Sequence, residues 1–170
     1  MPVPDRLVCF AHGKESGPWG VKISRLAEVA RGRGFDIVSP EYRHSVDPHR
    51  RLAQLLAEAP RAAVLVLVGS SMGGYVSAHA CRALRPRALY LMAPALYFPG
   101  WEEEPEAIPP LCAVAHGWGD TVVPLAASLR FAERHRAELL VLDSDHGLND
   151  QLPALSLQFD ALLHRALEPS

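Results

Sequence analysis

The chain has 170 residues, 49% of them hydrophobic, and its 17 basic and 19 acidic side chains leave a net charge of -2 at neutral pH. This length and composition are sufficient for a single globular domain with a hydrophobic core, which we assign to residues 1–170. The near balance of charge argues against a nucleic-acid-binding surface and against an acidic tail.

The predicted elements alternate between strands and helices along the chain. Continuous apolar runs predict strands over Leu7–Ala11, Phe35–Ser39, Ala62–Val68, Ala88–Ala93, Leu111–Ala115 and Glu138–Leu142. Apolar residues at helical spacing predict helices over 23–30 and 52–59, from just after Ser71 to about Leu84, and from Pro124 and Pro153 onward. Continuously apolar strands are typical of a sheet buried on both faces. The order predicts an α/β fold, a three-layer α/β/α sandwich around a parallel sheet of about six strands.

One segment, Ala93–Pro110, fits neither pattern. It holds five prolines and four glutamates. We interpret it as a short cap-like excursion over the edge of the sheet or over a site, with its glutamates Glu102, Glu103, Glu104 and Glu106 facing solvent.

The start of the chain and its cysteines indicate where the protein resides. Met1–Asp5 has neither the basic start nor the apolar run of a signal peptide, and no apolar stretch approaches the roughly 20 residues of a membrane-spanning helix. Cys9, Cys81 and Cys112 lie in apolar surroundings, as reduced core thiols do. We expect a cytoplasmic protein that does not bind membranes.

The sequence Gly-Ser-Ser-Met-Gly, residues 69–73, follows the third apolar run and precedes a helical pattern. Only Ser71 has glycine two places before and two places after it, because Ser70 is flanked by Val68 and Met72. A Gly-x-Ser-x-Gly turn between a strand and a helix exposes its serine, with small residues where side chains would collide. This pattern predicts that Ser71 is a nucleophile rather than a capping residue.

A serine nucleophile needs a base, and five histidines follow Ser71: His79, His116, His135, His146 and His164. His146 lies directly after the last predicted strand, where the carboxyl ends of the strands meet, so we predict that it is the base. His116 is the main competitor, either as a second pocket residue or as part of a metal site with His12, Asp120 and His146. No metal-binding spacing is present, so we predict no metal and no cofactor.

The base in turn needs an acid that orients it. Between Ser71 and His146 the aspartates are Asp120, Asp143 and Asp145. Asp120 follows the fifth predicted strand, next to the last one, whereas Asp143 and Asp145 would have to fold back onto their own neighbour. We predict Asp120, and the alternative for this residue is a helix N-cap near Pro124.

A tetrahedral intermediate needs hydrogen-bond donors for its oxyanion. We predict the backbone N–H of Met72 and an N–H of the loop after the first strand, that of Lys14 or Gly13, with Lys14 preferred. For substrate binding we predict His12 and Gly13 in that loop. We add Trp19, Trp101 and Trp118, which lie in loops near the site.

With these residues in this order, the sequence resembles the α/β-hydrolase superfamily, and within it the small lidless bacterial esterases of the YqiA type. The segments "HGKESGPWGVK", "VGSSMGGY" and "DHGL" are similar to their post-strand loop, serine turn and histidine loop. The resemblance covers about Leu7–Leu167 and implies a minimal form of the fold. Two features of larger members are missing or reduced: the first two antiparallel strands, and the cap, which is reduced to 93–110.

These residues predict a serine hydrolase that cleaves small acyl esters or thioesters through an acyl-enzyme. The sequence does not identify the natural substrate or the oligomeric state. The alternative is a protein that binds a ligand or a partner on a hydrolase scaffold, and a third option is C–C bond hydrolysis by the same residues.

Overall fold

The fold is built around one parallel sheet, described here for residues 2–170 of a computed structural model. Its strands are β1 Arg6–Ala11, β2 Asp36–Val38, β3 Val64–Ser70, β4 Ala88–Met92, β5 Leu111–Gly117 and β6 Glu138–Leu142. Their order is β2-β1-β3-β4-β5-β6, and every neighbouring pair is parallel. The helices are α1 Val21–Gly32, α2 Pro48–Glu58, α3 Met72–Leu84, α4 Leu125–His135 and α5 Leu152–Ala166, with a short 3₁₀ turn at Asn149–Gln151. The predicted α/β sandwich is confirmed.

The strands β1, β3, β4 and β5 each contribute side chains to two apolar layers, which explains why they are continuously apolar in sequence. In β1, Val8 and Phe10 pack with α1 and α5, whereas Leu7 and Cys9 pack with α2, α3 and α4. Full burial of a large apolar side chain is worth about 1.5–3 kcal/mol, so both layers stabilise the sheet.

The bounds of β3 differ from the prediction by two residues at each end. The apolar run ends at Val68, but the strand continues because Gly69 pairs with Ala11 of β1 and Ser70 pairs with Met92 of β4. Backbone hydrogen bonding therefore extends the strand into residues whose small side chains give no strand signal. This extension carries the chain directly to Ser71.

The segment 93–110 connects β4 to β5, with an isolated bridge between Phe98 and Trp101. The Tyr75 hydroxyl donates to Glu103 at 3.2 Å, the Tyr97 hydroxyl donates to Glu104 at 2.5 Å, and Arg82 pairs with Glu106 at 2.6 Å. Glu102, Glu103 and Glu106 are exposed, as expected of a solvent-facing row, whereas Glu104 is half-buried. The contacts of Glu103 and Glu106 tie the segment to α3.

Helix length and polarity also bear on membrane insertion. None of the helices within residues 2–170 has both the length and the apolar character that crossing a membrane requires.

The three cysteines are free and buried, and burial raises the pKa of the Cys9 and Cys81 thiols to about 12.

Candidate active site

Ser71 occupies the sharp turn between β3 and α3 with φ 54° and ψ −117°, a conformation that is strained for a residue with a side chain. A Cβ on Gly69 would overlap the backbone of Gly73, and a Cβ on Gly73 would overlap the carbonyl of Ala11. The turn therefore requires both glycines. The Ser71 N–H donates to the carbonyl of Met92 at 3.0 Å, which helps to hold the strained conformation.

Three side chains from three loops meet at this turn. His146 Nε2 lies 3.0 Å from Ser71 Oγ, and His146 Nδ1 lies 2.7 Å from Asp120 Oδ2. Because an ionised carboxylate only accepts hydrogen bonds, Nδ1 carries the proton in the neutral ring, and Nε2 is free to accept the serine hydroxyl proton. The structure thus joins a hydroxyl, an imidazole and a carboxylate in one hydrogen-bonded chain.

The carboxylate at the end of this chain is fully buried. Its Oδ1 accepts the N–H groups of Val122 and Val123, both at 2.8 Å. Burial by itself would raise the pKa of Asp120, but the hydrogen bonds from His146, Val123 and Val122 outweigh it and hold that pKa below its ordinary value. Asp120 is therefore ionised at neutral pH and can stabilise a protonated imidazole.

The other aspartates considered from the sequence do not reach the imidazole. Asp145 Oδ1 accepts the N–H of Gly147 at 2.9 Å, a local turn within the loop, and Asp143 receives the Gln151 side chain on its carbonyl oxygen. Of the three candidates, the structure brings Asp120 to His146.

His116 lies behind Asp120, fully buried and outside the cavity lining. Its Nδ1 is 2.7 Å from Ser128 Oγ, and its Nε2 is 2.9 Å from the carbonyl of Val123 and 3.2 Å from Asp120 Oδ2. Nε2–H donates to that carbonyl, so Nδ1 accepts the Ser128 hydroxyl proton. His116 supports the carboxylate from behind. In the part of the chain that the structure describes, no group of three or more His, Cys, Asp or Glu side chains is arranged to hold a metal ion.

The loop after β1 lies against the serine, because a Cβ built on Gly13 would be 3.5 Å from Ser71 Cβ. The Gly13 N–H donates to Ser16 Oγ at 3.2 Å, so it is already occupied. The N–H groups of Lys14 and of Met72, the first residue of α3, have no acceptor within residues 2–170. Both main-chain donors are therefore unoccupied.

A cavity of about 750 Å³ opens at Ser71 and is lined by Gly13, Lys14, Met72, Trp101 and His146 together with apolar side chains from neighbouring loops. Trp19 and Trp118 do not line it, and these loop side chains are 52% and 67% exposed at the surface. Of the three predicted tryptophans, the structure brings only Trp101 to the cavity.

His12 also lies outside this cavity, which corrects its assignment as a substrate contact. Its ring is fully buried beneath the loop, where Nδ1 donates to the carbonyl of Gly13 at 2.7 Å and Nε2 accepts the N–H of Tyr42 at 2.9 Å. Both ring nitrogens are therefore used by the backbone, and burial lowers the pKa of the imidazole.

Sequence reasoning missed two basic residues beside the site. Lys22 Nζ donates to the carbonyl of Gly147 at 2.8 Å, next to His146, and burial lowers the pKa of this ammonium group. Arg51 is buried in α2 and donates to carbonyls of the loop after β1. The sequence signals for Lys22 were its place at the end of the segment "HGKESGPWGVK" and its rarity, since Lys14 is the one other lysine among 17 basic residues.

Comparison with solved structures gives the same fold. A protein assigned to the hydrolases of the α/β superfamily, from Xanthomonas campestris pv. campestris, is 32% identical over 94% of this chain and 99% of its own, with a TM-score of 0.86. An α/β serine hydrolase without a lid, from Xanthomonas campestris, is 22% identical over 100% of this chain and 86% of its own, with a TM-score of 0.74. Est1E from Butyrivibrio proteoclasticus is 17% identical over 98% of this chain and 90% of its own, with a TM-score of 0.80. No protein-family model matches the chain, and no curated protein matches it.

The sheet order, the strained serine turn and the first of these comparisons together define the class. The chain belongs to the α/β-hydrolase superfamily. The similarity to hydrolases supports hydrolase function in general.

Proposed function

We propose that this protein is a serine hydrolase that cleaves small acyl esters or thioesters through an acyl-enzyme on Ser71. The observation that carries the proposal is the continuous chain from Ser71 Oγ through His146 to Asp120, with distances of 3.0 Å and 2.7 Å. A serine hydroxyl is a weak nucleophile, and this arrangement supplies both the base and the group that orients it.

In the acylation step, Ser71 Oγ bonds to the substrate carbonyl carbon while its proton passes to His146 Nε2. The ionised Asp120 stabilises the resulting imidazolium. The carbonyl oxygen becomes an oxyanion, and the N–H groups of Met72 and Lys14 donate to it. When the carbon–oxygen or carbon–sulfur bond of the leaving group breaks, His146 returns the proton to the departing alcohol or thiol.

Deacylation repeats the same proton transfers with water. His146 Nε2 accepts a proton from a water molecule, whose oxygen attacks the acyl carbon. The second oxyanion occupies the same two donors, and its collapse releases the acid and returns the proton to Ser71 Oγ. Each main-chain donor is expected to be worth about 2.7–4 kcal/mol of the barrier.

The cavity supports the substrate class. Its volume of about 750 Å³ and its largely apolar lining, including Phe98 and Trp101 from the segment 93–110, suit a small acyl group. The lidless serine hydrolase similar to this chain supports a site that opens directly to solvent.

The proposal is tested by a fluorophosphonate probe together with p-nitrophenyl esters from acetyl to octanoyl and matching thioesters. We expect labelling and turnover in the wild type, and loss of both in Ser71→Ala. Ser70→Ala is the matched control, because it changes the neighbouring serine of the same turn and should still be labelled. Wild-type labelling of Ser71→Ala would rule out this nucleophile, and an absence of turnover of every ester would favour a binding protein.

A further inference from the structure

Arg51 is 1% exposed and directs its guanidinium at the main chain of the loop after β1. Its Nη1 donates to the carbonyls of His12 and Gly13 at 3.1 and 3.0 Å, and its Nη2 donates to the carbonyl of Lys14 at 3.1 Å. Its Nε donates to the carbonyl of Ser45 at 2.7 Å. Three consecutive carbonyls of one loop thus point at one cation.

The carbonyl of Gly13 is held from two sides, because it also accepts His12 Nδ1–H at 2.7 Å. A carbonyl oxygen has two lone pairs, so these two bonds occupy it fully. The His12 ring is itself fixed by the Tyr42 N–H on Nε2. This one carbonyl therefore has little freedom to reorient.

The direction of that carbonyl decides the direction of the Lys14 N–H. The C=O of Gly13 and the N–H of Lys14 belong to one planar peptide unit, and in a trans unit the two groups point in opposite directions. With the carbonyl turned inward to Arg51 and His12, the N–H is directed away from them. If the unit flipped, it would present a carbonyl oxygen, which would repel an oxyanion.

A flip of this unit would rotate ψ of Gly13 and φ of Lys14, and Gly13 has no side chain that would restrict the first of these rotations. The interaction that prevents it comes from α2, 38 residues away along the chain. Burying a guanidinium without a carboxylate partner is costly. Within residues 2–170, Arg51 forms no ion pair, whereas four other arginines do: Arg33, Arg43, Arg50 and Arg82. Arg51 instead donates its hydrogen bonds to backbone carbonyls.

We infer that Arg51 is a positioning residue that fixes the Gly13–Lys14 peptide so that the Lys14 N–H faces the oxyanion at Ser71. A charge-assisted hydrogen bond to the Gly13 carbonyl also polarises the peptide and makes its N–H a stronger donor. This inference rests on the proposed hydrolase function and adds a residue that contacts neither substrate nor nucleophile.

The test compares Arg51→Met with the wild type on p-nitrophenyl butyrate and on two inhibitors. We expect kcat to fall about 10- to 100-fold with KM changed less than about threefold, because the interaction is made only in the transition state. A trifluoromethyl ketone, whose adduct with Ser71 carries an oxyanion, should bind more weakly by the same factor as kcat/KM. The corresponding secondary alcohol, which forms no oxyanion, should bind equally well to both proteins.

Arg50→Met is the matched control, since Arg50 is the preceding residue of α2 and its side chain is 81% exposed. If Arg51→Met does not fold, Arg51→Lys supplies the measurement, because lysine keeps the charge but cannot reach all four carbonyls; a smaller parallel loss is then expected. Unchanged kcat and ketone affinity in a folded Arg51 variant, or equal weakening of ketone and alcohol, would overturn the inference while leaving the hydrolase proposal intact. A wild type without turnover or ketone binding would instead refute the hydrolase proposal and this inference with it.

Discussion

The loop after β1 and the loop after β6 both face Ser71, but different interactions hold them. In the first loop, the groups that hold the backbone, Arg51 and His12, are almost completely buried. In the second, His146 keeps 24% of its side chain exposed, and its neighbours are tied by local turns and by Lys22. One loop is fixed from the interior, and the other is fixed from the edge of the cavity.

The difference follows from what each loop contributes in the proposed reaction. A main-chain donor to the oxyanion acts in the same orientation in every step, so any movement costs catalysis. An imidazole that passes protons to leaving groups and receives them from water must remain accessible to both. Full burial therefore suits the first loop, and partial exposure suits the second.

The largest effect is expected from a substitution that interrupts proton transfer through His146 in the loop after β6. In Asp120→Asn the amide cannot stabilise the imidazolium, and it favours the wrong tautomer of His146, so kcat should fall about 10⁴-fold. Steady-state kinetics on p-nitrophenyl butyrate measures this. Asp145→Asn is the matched control, since an amide oxygen can still accept the Gly147 N–H. Equal losses in both variants would contradict the assignment of Asp120 as the orienting acid.

A smaller effect is expected from a substitution that loosens the loop after β6 and leaves Ser71, His146 and Asp120 unchanged. Lys22→Met keeps the length of the side chain but removes the hydrogen bond to the carbonyl of Gly147. A hydrogen bond from a charged group is worth about 1.5–3 kcal/mol. Because its loss loosens the loop and leaves the proton path in place, only part of that energy enters the barrier, and kcat should fall about 3- to 10-fold. Hydrogen exchange of residues 143–149 should also accelerate, while residues 12–16 stay protected.

Arg25→Met, on the exposed side of the same helix, is the control for this loosening. If Lys22→Met accelerated exchange in both loops alike, the two loops would not be held independently, and the comparison between them would fail.

The smallest effect concerns the loop after β1 and is a change in how the free energy of unfolding depends on pH. Burial and the nearby Arg51 cation lower the pKa of His12, so the folded protein binds a proton on this imidazole only at a lower pH than the unfolded chain, which binds one below about pH 6.5. The contribution of His12 to the free energy of unfolding is therefore constant above that range and falls as pH drops through it, by at most about 1.4 kcal/mol per pH unit. Half-buried His79, whose pKa is also lowered by burial, adds to the same slope.

Urea unfolding of the wild type and of His12→Asn between pH 7.5 and 5.5 measures this slope. The variant should be less stable at every pH but should lose stability less steeply on acidification. His44→Asn is the control, because the His44 side chain is exposed and its removal should leave the slope unchanged. An unaltered slope in His12→Asn would show that the ring does not stay neutral beneath the loop.

Much of the site could be predicted because each main residue follows a strand of the parallel sheet. The strand–turn–helix at Ser71 can be recognised from Gly69 and Gly73, which the turn needs for steric reasons. Asp120 and His146 follow β5 and β6, and parallel strands bring their carboxyl ends to one edge. The tryptophans could not be sorted in this way, because a loop side chain has no periodicity that tells cavity from solvent.

What the sequence alone determined is the order of strands and helices, the parallel sheet and the serine turn, since these depend on local apolar patterns and on the sizes of neighbouring residues. What only the tertiary structure decided is the difference between Arg50 and Arg51. They are adjacent in sequence and alike in chemistry, yet one lies in solvent and the other holds the carbonyls of a loop 38 residues away. A polar side chain takes its role from the backbone groups packed against it, and those come from distant parts of the chain.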